Sequence, residues 1–434
     1  MNVTMIGTGY VGLVSGACFS EFGVNVTCVD KEAKRIEKLH EGIMPIYEPG
    51  LEDLVATNVK RGRLSFTTDT KTAVENADIV FIAVGTPSRR GGGHADLSYV
   101  QQAAREIAEN LSGYTVIVDK STVPVGTARN VERIVREVNP KADFDVASNP
   151  EFLREGSAIS DFMRPDRVVI GAESEKAKNM LRELYRPLYL IETPMVITNL
   201  ETAELIKYAC NAFLATKISF INEISQLCEV VGADVQSVSK GMGLDRRIGP
   251  KFLHAGPGYG GSCLPKDTKA LIKIFQDNHL TARIVEAVVQ VNDAQKSHMV
   301  KKIRDALGGN LYGKTIAVLG LTFKPETDDM REAPSLTIIP ALQENGAKIR
   351  ATDPQGVEES KKELSEIEYF EDPYQASDGV DAIIIMTEWN EYRALNLGQL
   401  KQTMKGDILI DLKNVYDPGT MRNKGFTYVG VGMH

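Results

Sequence analysis

The chain has 434 residues, of which 43% are hydrophobic and 25% charged, and its net charge is −8. This length exceeds what one core supports, so two or three domains are expected, and the acidic balance argues against nucleic acid or an anionic membrane as the main partner. The five cysteines form no CxxC pair, no apolar run reaches membrane-spanning length, and the six histidines lack metal-ligand spacing. We therefore expect a cytoplasmic protein without a metal site.

A glycine-rich turn follows the first predicted strand. The strand-like run Asn2–Ile6 leads into GTGYVG at residues 7–12, a helical pattern follows, and a second strand, Asn25–Val29, ends at Asp30. In such a turn the first glycine permits a tight bend, the second lets a pyrophosphate approach, and the third packs the helix on the strand, while the acid accepts ribose hydroxyls. These residues predict a dinucleotide site. Asp30 would repel a 2′-phosphate, which favours NAD, although Arg35 could meet such a phosphate.

Further apolar runs at residues 77–84, 114–118 and 145–148 are typical of strands buried on both faces of a parallel sheet. A polar loop follows each of them. Ligands of open parallel sheets bind beyond the carboxyl ends of the strands, so these loops supply candidate site residues. Helix capping or turn formation is the alternative role of the candidates, which are Thr86, Thr122, Glu151 and Glu155.

Residues 199–232 interrupt this alternation with one long helical pattern. Asn199 can cap its start and Gly232 can close its end. Apolar side chains occur on several sides, which indicates a central helix that links two lobes or forms a subunit interface. Lys207 and Asn211 lie one turn apart on it. A lysine among apolar neighbours either has a functional partner or extends its ammonium group to an edge.

The segment GPGYGGSCLPKD at residues 256–267 places one thiol between a glycine-rich turn and a predicted helix. Glycines let the backbone approach a ligand, and Pro265 suits the first helical position. Backbone N–H groups, the helix dipole and Lys266 would favour the thiolate of Cys263, which is the reactive form, and Asp267 adds a carboxylate. Cys263 is therefore a candidate nucleophile. A small buried side chain after a structural turn is the alternative.

A second strand-rich module follows the sequence GGN at residues 308–310. Predicted strands at 313–320, 348–352, 381–386 and 407–410 alternate with helices. The sequence GLTFKP at 320–325 stands where a glycine-rich turn would be expected. We therefore expect this module to hold a different phosphate-bearing ligand, with Lys324 and Arg331 as the natural anion contacts.

Five motifs together resemble the UDP-glucose/GDP-mannose dehydrogenase family over essentially the whole chain. They are GTGYVG at 7–12, STVP at 121–124, NPEFL at 149–153, GYGGSCLPKD at 258–267 and FKP at 323–325. The resemblance implies an α/β fold with two Rossmann-like domains with parallel sheets, joined by a long central α-helix that serves in homodimer formation. The implied domains are an NAD-binding domain at 1–198, a central helical and dimerisation region at 199–308, and a nucleotide-sugar-binding domain at 309–434.

The resemblance also implies an activity: oxidation of the C6 alcohol of a nucleotide sugar, first of all UDP-glucose, to a carboxylate with two NAD+. The UDP-glucuronate formed would serve polysaccharide biosynthesis. Cys263 would add to the C6 aldehyde and carry a thiohemiacetal and then a thioester until water releases the product. The other implied catalytic residues would handle the proton, polarise oxyanions or assist; they are Lys207, Asp267, Thr122, Glu151 and Asn211.

Binding roles come from the same resemblance. The implied cofactor contacts are Gly7, Gly9, Tyr10, Val11, Gly12, Asp30, Arg35, Thr86, Thr122, Glu155, Lys266 and Arg331. The implied substrate contacts are Glu151, Phe152, Leu153, Arg154, Glu155, Lys207, Asn211, Phe252, Leu253, His254, Ala255, Gly256, Tyr259, Gly260, Phe323 and Lys324, together with Arg247, which could reach the substrate of a neighbouring subunit. Two departures from the family pattern are His254 and the sequence DLKN at 411–414, where DGRN is common.

Two other functions remain compatible with the sequence. A dehydrogenase of another nucleotide sugar, such as GDP-mannose, would carry most of the same motifs. The sequence GGSC at 260–263 speaks against an N-acetylmannosamine substrate, because that branch usually has histidine before the cysteine. A binding protein for NAD and a nucleotide sugar, without turnover, would not need the set formed by Cys263, Lys207 and Asp267.

Overall fold

Two β-sheets organise the chain, one in each of two compact units. The structure is a computed structural model that describes residues 1–87 and 93–433. The first unit is Met1–Cys210 and the second is Asn211–His434. The division into three parts at residues 198 and 308 stays a prediction.

The first unit contains an eight-stranded sheet within its described residues, in the order β3-β2-β1-β4-β5-β6-β7-β8. Its strands are β1 (Asn2–Ile6), β2 (Asn25–Val29), β3 (Leu64–Thr67), β4 (Ile79–Ile82), β5 (Thr115–Asp119), β6 (Phe144–Ser148), β7 (Val168–Ala172) and β8 (Met195–Thr198). The first six strands are parallel, which confirms the predicted Rossmann-like arrangement. Beyond β6 the sheet continues with β7, which runs antiparallel to β6, and with β8, which runs parallel to β7.

Helices cover this sheet, and the apolar residues of the central strands are buried between them. All of β4 and β5 is buried, as the continuous apolar runs predicted. The helices of the first unit are α1 (Tyr10–Glu21), α2 (Ala33–His40), α3 (Leu51–Lys60), α4 (Thr70–Glu75), α5 (Ser98–Glu109), α6 (Thr127–Val138), α7 (Ala158–Met163) and α8 (Glu175–Leu184), with a 3-10 helix at Arg186–Ile191.

The long helix α9 (Leu200–Val231) has 32 residues and confirms the prediction for 199–232. Asn199 accepts the Thr202 N–H at 2.9 Å as an N-cap, and Gly232 ends the helix with φ +74°. We predicted that its apolar sides are covered by protein. Ile221 is fully buried, whereas Phe213 is 65% exposed and Leu205 and Phe220 are also exposed in the single chain.

The second unit contains a six-stranded sheet in the order β11-β10-β9-β12-β13-β14, and every pairing in it is parallel. Its strands are β9 (Thr315–Leu319), β10 (Lys348–Thr352), β11 (Ile367–Tyr369), β12 (Ala382–Ile385), β13 (Ile408–Asp411) and β14 (Thr427–Gly430). This order repeats that of the first six strands of the first sheet, so the second Rossmann-like domain is confirmed.

The helices of the second unit come after α9 in the chain. They are α10 (Val235–Leu244), α11 (Leu264–Asp277), α12 (Arg283–Ala306), α13 (Ser335–Glu344), α14 (Val357–Glu363), α15 (Pro373–Ala376), α16 (Asn390–Arg393), α17 (Leu397–Thr403) and α18 (Pro418–Asn423). Over residues 1–87 and 93–433, no helix combines the length and apolar character that crossing a membrane requires.

Candidate active site

The turn between β1 and α1 has the geometry of a dinucleotide cradle. Gly7 has φ +104°, and a Cβ on it would lie 2.6 Å from the Ala83 carbonyl oxygen. A Cβ on Gly12 would lie 2.0 Å from the Gly7 carbonyl oxygen. A Cβ on Gly9 would meet no heavy atom of the described residues within 4 Å. Gly7 and Gly12 are thus required by the fold, whereas the space beside Gly9 is open to a phosphate at the start of α1.

Asp30 lies at the end of β2, where the fingerprint requires an acid. Its Oδ2 accepts the Thr8 N–H at 3.0 Å, the Thr8 hydroxyl at 2.7 Å and Arg35 at 3.0 Å, and its Oδ1 accepts the Glu32 N–H at 3.0 Å. Burial raises the pKa of Asp30, but these hydrogen bonds and the Arg35 charge outweigh burial and lower it. An ionised acceptor therefore lies at the strand end where the dinucleotide fingerprint requires an acid, and the turn and the acid together fit NAD.

A buried glutamate that no sequence pattern indicated connects this turn to the loop before α7. The Glu48 side chain is 6% exposed and accepts a hydrogen bond from the Tyr10 hydroxyl, and also from the N–H groups of Gly156 and Ala158 at 2.7 Å. Burial, followed by the hydrogen bond to Glu48, raises the pKa of Tyr10. Glu48 thereby fixes the loop that carries Glu155. Only its position in a polar YEPG sequence could have signalled it.

The loops after β4 and β5, which the sequence offered as sources of site residues, contact each other at the carboxyl edge of the sheet. The Thr86 hydroxyl donates to the Thr122 carbonyl oxygen at 2.9 Å, and the Ser121 hydroxyl donates to the Val84 carbonyl oxygen at 2.8 Å. The carboxyl edge of the sheet therefore brings Thr86 and Thr122 together. Their hydrogen bonds also serve turn formation, the alternative role considered for them.

Glu151 and Lys207 form a buried ion pair in the first unit. Their charged atoms are 3.0 Å apart, and the side chains are 5% and 4% exposed. The ammonium group of Lys207 also lies 5.3 Å from the centre of the Phe152 ring. The partner that we expected for Lys207 is thus Glu151, which follows β6. A buried pair of this kind is expensive to break and is able to hold or exchange a proton.

The remaining predicted residues of this loop have varied surroundings. The Arg167 guanidinium group stacks on the Phe152 ring at 3.5 Å, and the Leu153 N–H donates to Glu151 Oε2 at 2.5 Å. Arg154 is more than half exposed and forms a two-point ion pair with Asp161. The structure therefore gives Arg154 a structural partner on α7, the helix that follows its loop.

Cys263 lies in the second unit as the N-cap residue of α11, and it is partly exposed. Its carbonyl oxygen accepts the Asp267 N–H at 2.9 Å, which is the first hydrogen bond of the helix, and its sulfur lies 3.5 Å from the Ser262 hydroxyl. The prediction that the thiol stands between a glycine turn and a helix start is confirmed. The helix begins at Leu264, so Pro265 is its second residue and our prediction for the first position was wrong.

Asp267 is the centre of a polar cluster one turn into α11. Its carboxylate is 1% exposed, and Oδ1 lies 2.6 Å from the Lys266 ammonium group. Its Oδ2 accepts the Asn211 side-chain amide at 2.5 Å. The structure thus joins three predicted residues, and Asn211 lies one helical turn after Lys207 on α9. The close ion pair shows that Lys266, predicted as a cofactor contact, also neutralises Asp267.

Three buried amides that no sequence pattern indicated hold the loop before Cys263. Asn292 on α12 accepts the Tyr259 N–H at 2.8 Å and donates to the Tyr259 carbonyl at 3.1 Å. Asn222 accepts the Gly256 N–H at 2.9 Å, and Gln295 donates to the Gly256 carbonyl at 2.8 Å. Nothing in a helical pattern distinguishes these amides from surface residues. Their contacts supply hydrogen bonds that a buried loop cannot find in secondary structure.

The cysteine loop also packs against the segment after β9. A Cβ on Gly260 would lie 2.5 Å from the Glu332 carbonyl oxygen, and one on Gly261 would lie 2.7 Å from the Phe323 ring. The Gly261 N–H donates to the Arg331 carbonyl at 2.8 Å. Predicted substrate and cofactor residues of this unit are therefore brought together. The Arg331 guanidinium pairs with Asp329 at 2.7 Å, and Lys324 lies over the Phe323 ring at 5.4 Å.

The predicted substrate segment 252–256 alternates in burial. Leu253 and Ala255 are 2% and 7% exposed and belong to the core, whereas His254 is exposed. Phe252 has φ +65°, an uncommon conformation for a large side chain. A ligand here would meet the main chain of Leu253 and Ala255 rather than their side chains. Tyr259 is buried.

Two residues with open roles have defined surroundings. Arg247 is 89% exposed and pairs with Asp245 at 2.6 Å. Lys413, which stands where the family often has arginine, lies 2.8 Å from Glu388, and its Cδ would be 3.6 Å from a Cβ on Gly256. Lys413 is thus near the predicted substrate segment. Across residues 1–87 and 93–433, no group of three or more His, Cys, Asp and Glu side chains could hold a metal ion.

The parallel sheet, the glycine cradle and the acid at the end of β2 define a dinucleotide-binding protein of the Rossmann class. Comparison with known families extends this class over the whole chain. Residues 1–189 match the NAD binding domain of the UDP-glucose/GDP-mannose dehydrogenase family, residues 201–294 its central domain and residues 317–418 its UDP binding domain. The chain belongs to this family of NAD-dependent nucleotide-sugar dehydrogenases.

Individual relatives agree with this membership. The chain is 59% identical over 434 residues to the UDP-glucose 6-dehydrogenase of Rhizobium meliloti (strain 1021), covering 100% of this chain and 99% of the relative. It is 50% identical over 433 residues to the UDP-glucose 6-dehydrogenase TuaD of Bacillus subtilis (strain 168), covering 99% and 93%. The solved UDP-glucose dehydrogenase of Pyrobaculum islandicum superposes with a TM-score of 0.92 at 39% identity, covering 100% and 98%.

Proposed function

We propose that this protein oxidises the C6 alcohol of UDP-glucose to the carboxylate of UDP-glucuronate, with two NAD+ per sugar. The observation that carries the proposal is Cys263 at the start of α11, the helix on which the buried Asp267 contacts Asn211 and the partly exposed Lys266. A dehydrogenase that stops at the aldehyde has no need of a thiol, whereas oxidation to the acid requires a covalent adduct or a hydrate. Relatives with full-length similarity bear the name of this activity.

The first unit holds the cofactor. Gly7, Gly9 and Gly12 shape the cradle, and the Asp30 carboxylate accepts the ribose hydroxyls while its charge opposes a 2′-phosphate. The further cofactor contacts that we propose are Tyr10, Val11, Arg35, Thr86, Thr122, Glu155, Lys266 and Arg331. When bound, NAD+ accepts a hydride in each of the two oxidations.

Proton transfer in the first oxidation falls to the buried Glu151–Lys207 pair and to Asp267, with Thr122 assisting. The alcohol loses its hydroxyl proton as its C6 hydride leaves, which gives the aldehyde. Lys207 in its buried surroundings is able to polarise the oxygen as an ammonium ion or to accept the proton as an amine. Asn211 fixes the carboxylate of Asp267 that would orient a water molecule.

The second oxidation needs the thiol. The Cys263 thiolate adds to C6 of the aldehyde, and the alkoxide formed takes a proton to give a thiohemiacetal. Loss of the hydroxyl proton and of a second hydride turns this adduct into a thioester. Water then adds, the C–S bond breaks, and the products are the carboxylic acid, which ionises, and the regenerated thiol. The sum is one alcohol, one water and two NAD+ converted into one carboxylate, two NADH and three protons.

The substrate contacts that we propose come from several loops and from α9. The contacts are Glu151 to Glu155, Lys207 and Asn211, then Phe252 to Gly256, Tyr259, Gly260, Phe323 and Lys324, with Arg247 offered to a neighbouring subunit. The exposed apolar side of α9, which includes Leu205, Phe213 and Phe220, supports a homodimer through this helix. We place the enzyme in the cytoplasm, where its product serves polysaccharide biosynthesis, and keep 199–308 as the central dimerisation region.

The proposal is tested by incubating the purified chain with NAD+ and a panel of UDP-glucose, GDP-mannose and UDP-N-acetylmannosamine. We expect turnover of UDP-glucose with two NADH per sugar and no free aldehyde, and much less activity with NADP+. Turnover of another sugar in preference would overturn the substrate assignment. One NADH per sugar, with aldehyde in solution, would reject the covalent route.

A further inference from the structure

Lys120 is a buried lysine of the first unit to which the proposed mechanism gives no task. It follows β5 directly and is 3% exposed. Its ammonium group donates to Asn149 Oδ1 at 3.1 Å and approaches the Tyr185 hydroxyl at 3.4 Å. The rings of Phe81 and Phe162 lie at 5.8 Å. This cation is thus surrounded by neutral groups.

Lys120 has no counter-ion within ion-pair distance among the described residues, because its hydrogen bonds go to an amide and a phenol. A buried charge without a close partner is costly and is rarely found where a neutral side chain would serve. Burial lowers the pKa of Lys120 to about 8. The protein therefore carries an expensive positive charge at this position at neutral pH.

The hydrogen bonds of Lys120 converge on Asn149, two residues before Glu151. Asn149 Oδ1 also accepts the Tyr185 hydroxyl at 2.6 Å, and its Nδ2 donates to the Val169 carbonyl at 2.7 Å. The Asn149 N–H donates to the Asp119 carbonyl at 2.8 Å. The start of the loop that presents Glu151 is thereby anchored to β5 and β7.

The charge of Lys120 also acts on the pair beyond this anchor. The charges that interact with it are those of Glu151, whose attraction raises the pKa of Lys120, and of Lys207, whose repulsion lowers it, with Cys18 as a further titratable neighbour. Tyr185 is the titratable group in direct contact. Coulomb interactions are mutual, so the charge of Lys120 attracts the Glu151 carboxylate and repels the Lys207 ammonium group.

We propose that Lys120 is a positioning residue of the reaction: it holds Asn149, and with it the Glu151 loop, and it supplies a positive charge that acts on the Glu151–Lys207 pair. This inference rests on the proposed function. It separates two tasks between two lysines. Lys207 meets the substrate, and Lys120 fixes the loop and the electrostatic potential in which Lys207 works.

The test compares the pH profiles of kcat for UDP-glucose oxidation in the full chain and three variants. Lys120→Met removes the charge, Lys120→Arg keeps it, and Tyr185→Phe removes one hydrogen bond but leaves the charge. Loss of a positive charge raises the pKa of every ionisable neighbour, so both limbs of the Lys120→Met profile should move to higher pH by about one unit. The profiles of the other two variants should stay in place, even if their rates fall. Lys120→Gln serves if the Met variant does not fold.

A Met or Gln variant that turns over with the wild-type pH profile would overturn the inference, and so would an equal shift in Tyr185→Phe. A wild-type protein without activity would instead reject the proposed function. Unfolding gives a readout independent of activity. The pKa of Lys120 is about 8 in the folded chain and has its ordinary, higher value in the unfolded chain. Between these two pKa values the unfolded chain binds a proton that the folded chain has lost. The free energy of unfolding of the wild-type protein should therefore rise with pH over this interval. Lys120→Met should lack this rise, and its presence there would count against the burial of this charge.

Discussion

The two units use the same frame for their first two strands. In the first, Gly7 comes after β1 with φ +104°, and Asp30 at the end of β2 accepts the Thr8 N–H. In the second, Gly320 comes after β9 with φ +92°, and Asp353 after β10 accepts the Thr322 N–H at 3.1 Å. Neither glycine has room for a Cβ. Ala83, after β4, blocks it at Gly7, and Thr387, after β12, blocks it at Gly320. The frame alone therefore does not make a dinucleotide site.

The difference lies in the segment after the glycine. Helix α1 begins at Tyr10, so its N-terminus and the open side of Gly9 face a ligand at once. After Gly320 the chain runs as a loop until α13 begins at Ser335, and this loop packs on the cysteine loop through Phe323. In the second unit this segment therefore does not form a phosphate cradle but supports the loop that carries Cys263.

The two acids differ in the same sense. Oδ1 of Asp30 accepts one N–H, from Glu32, and retains capacity for a further donor. Asp353 accepts the N–H groups of Leu321, Gln355 and Gly356 in addition to Thr322, and the Trp389 indole N–H at 3.2 Å. The same residue type at the same strand end is thus our proposed ligand acceptor in one unit and a structural anchor in the other.

A second pair of acids ends β5 and β13, each of which is fifth in the strand order of its sheet. Asp411 accepts the Tyr428 hydroxyl at 2.9 Å and the Tyr416 N–H at 3.1 Å. Asp119 is 1% exposed, and neither of its carboxyl oxygens has a hydrogen-bond partner at normal geometry in the described part of the chain. Burial, followed by the charge of Glu204, raises the pKa of Asp119 well above its usual range. In this pair the carboxyl group without such partners among the described residues, Asp119, lies in the first unit, and the hydrogen-bonded one, Asp411, lies in the second.

The largest effect should come from removing the thiol of Cys263. This change tests whether the second unit supplies the nucleophile while the first unit binds the cofactor. In Cys263→Ala we expect NAD+ binding near that of wild type and at least about a thousandfold loss of net oxidation, since the nucleophile is gone. Calorimetry with NAD+ and steady-state rates check both halves. Steady turnover by this variant at the wild-type rate would remove the nucleophile assignment.

Cys263→Ser sharpens the same prediction. A serine hydroxyl is far less ionised than a thiol but adds slowly, and its ester hydrolyses less readily than a thioester. We expect a covalent sugar adduct, seen as a mass increase of the intact protein after incubation with substrate and NAD+. An inactive serine variant that never accumulates an adduct would refute the trapping argument and leave the nucleophile assignment in place.

The next largest effects should come from removing the two acids at the ends of β2 and β10, Asp30 and Asp353. Asp353→Ala leaves several buried donors without an acceptor and should lower the free energy of unfolding by about 3 to 5 kcal/mol. Asp30→Ala should cost less stability but weaken NAD+ binding by about tenfold and relax the discrimination against NADP+. Denaturant unfolding and cofactor titration of both variants test this. Equal losses of NAD+ affinity in the two variants would contradict the different roles that we assign to Asp30 and Asp353.

A smaller effect is expected where α12 supports the cysteine loop. Asn292→Ala removes both hydrogen bonds to the Tyr259 main chain, so the loop should hold Cys263 less closely. We expect kcat to fall about tenfold with little change in the affinity for NAD+. The control is Lys302→Ala on the same helix, which removes an ion pair with Glu229 at 2.8 Å rather than a hydrogen bond to the cysteine loop. A similar fall in that control would show a general loss of packing.

The smallest effect concerns the buried acids of the first unit. Burial is the largest cause that raises the pKa of Glu204 to about 7, while the N–H groups of Ala128 and Gly126 lower it. Because the folded chain then binds a proton more strongly than the unfolded chain, stability should fall by about 1 to 2 kcal/mol as pH rises from about 4.5 to 7. Glu204→Gln should flatten this dependence in thermal unfolding. The control is Glu201→Gln, three residues earlier in the chain, and flattening there as well would contradict the assignment to Glu204.

Much of the fold could be predicted because its signals are local. The GTGYVG turn, the apolar strands and the caps Asn199 and Gly232 each act within a few residues, and all were confirmed. The reversed strand β7 could not be predicted, since a buried strand has the same apolar pattern in either direction.

The site was predictable only in part. Cys263, Asp267, Lys207 and Glu151 carry chemistry that a sequence displays, and the roles assigned to them remain predictions. Their support does not show in the same way. The amide of Asn292 and the carboxylate of Glu48 gain their meaning from partners 33 and 108 residues away along the chain. Such contacts depend on how distant segments pack, which no local pattern encodes.

The crowding around Gly260 and Gly261 has a consequence for protein engineering. Glu332 and Phe323 fill the space where side chains would stand at these positions. A library that randomises the cysteine loop should therefore lose nearly every member at these two glycines, although neither takes part in bond making. Altered sugar preference is better sought by diversifying His254 or Lys413, where the chain borders solvent or an adjustable ion pair.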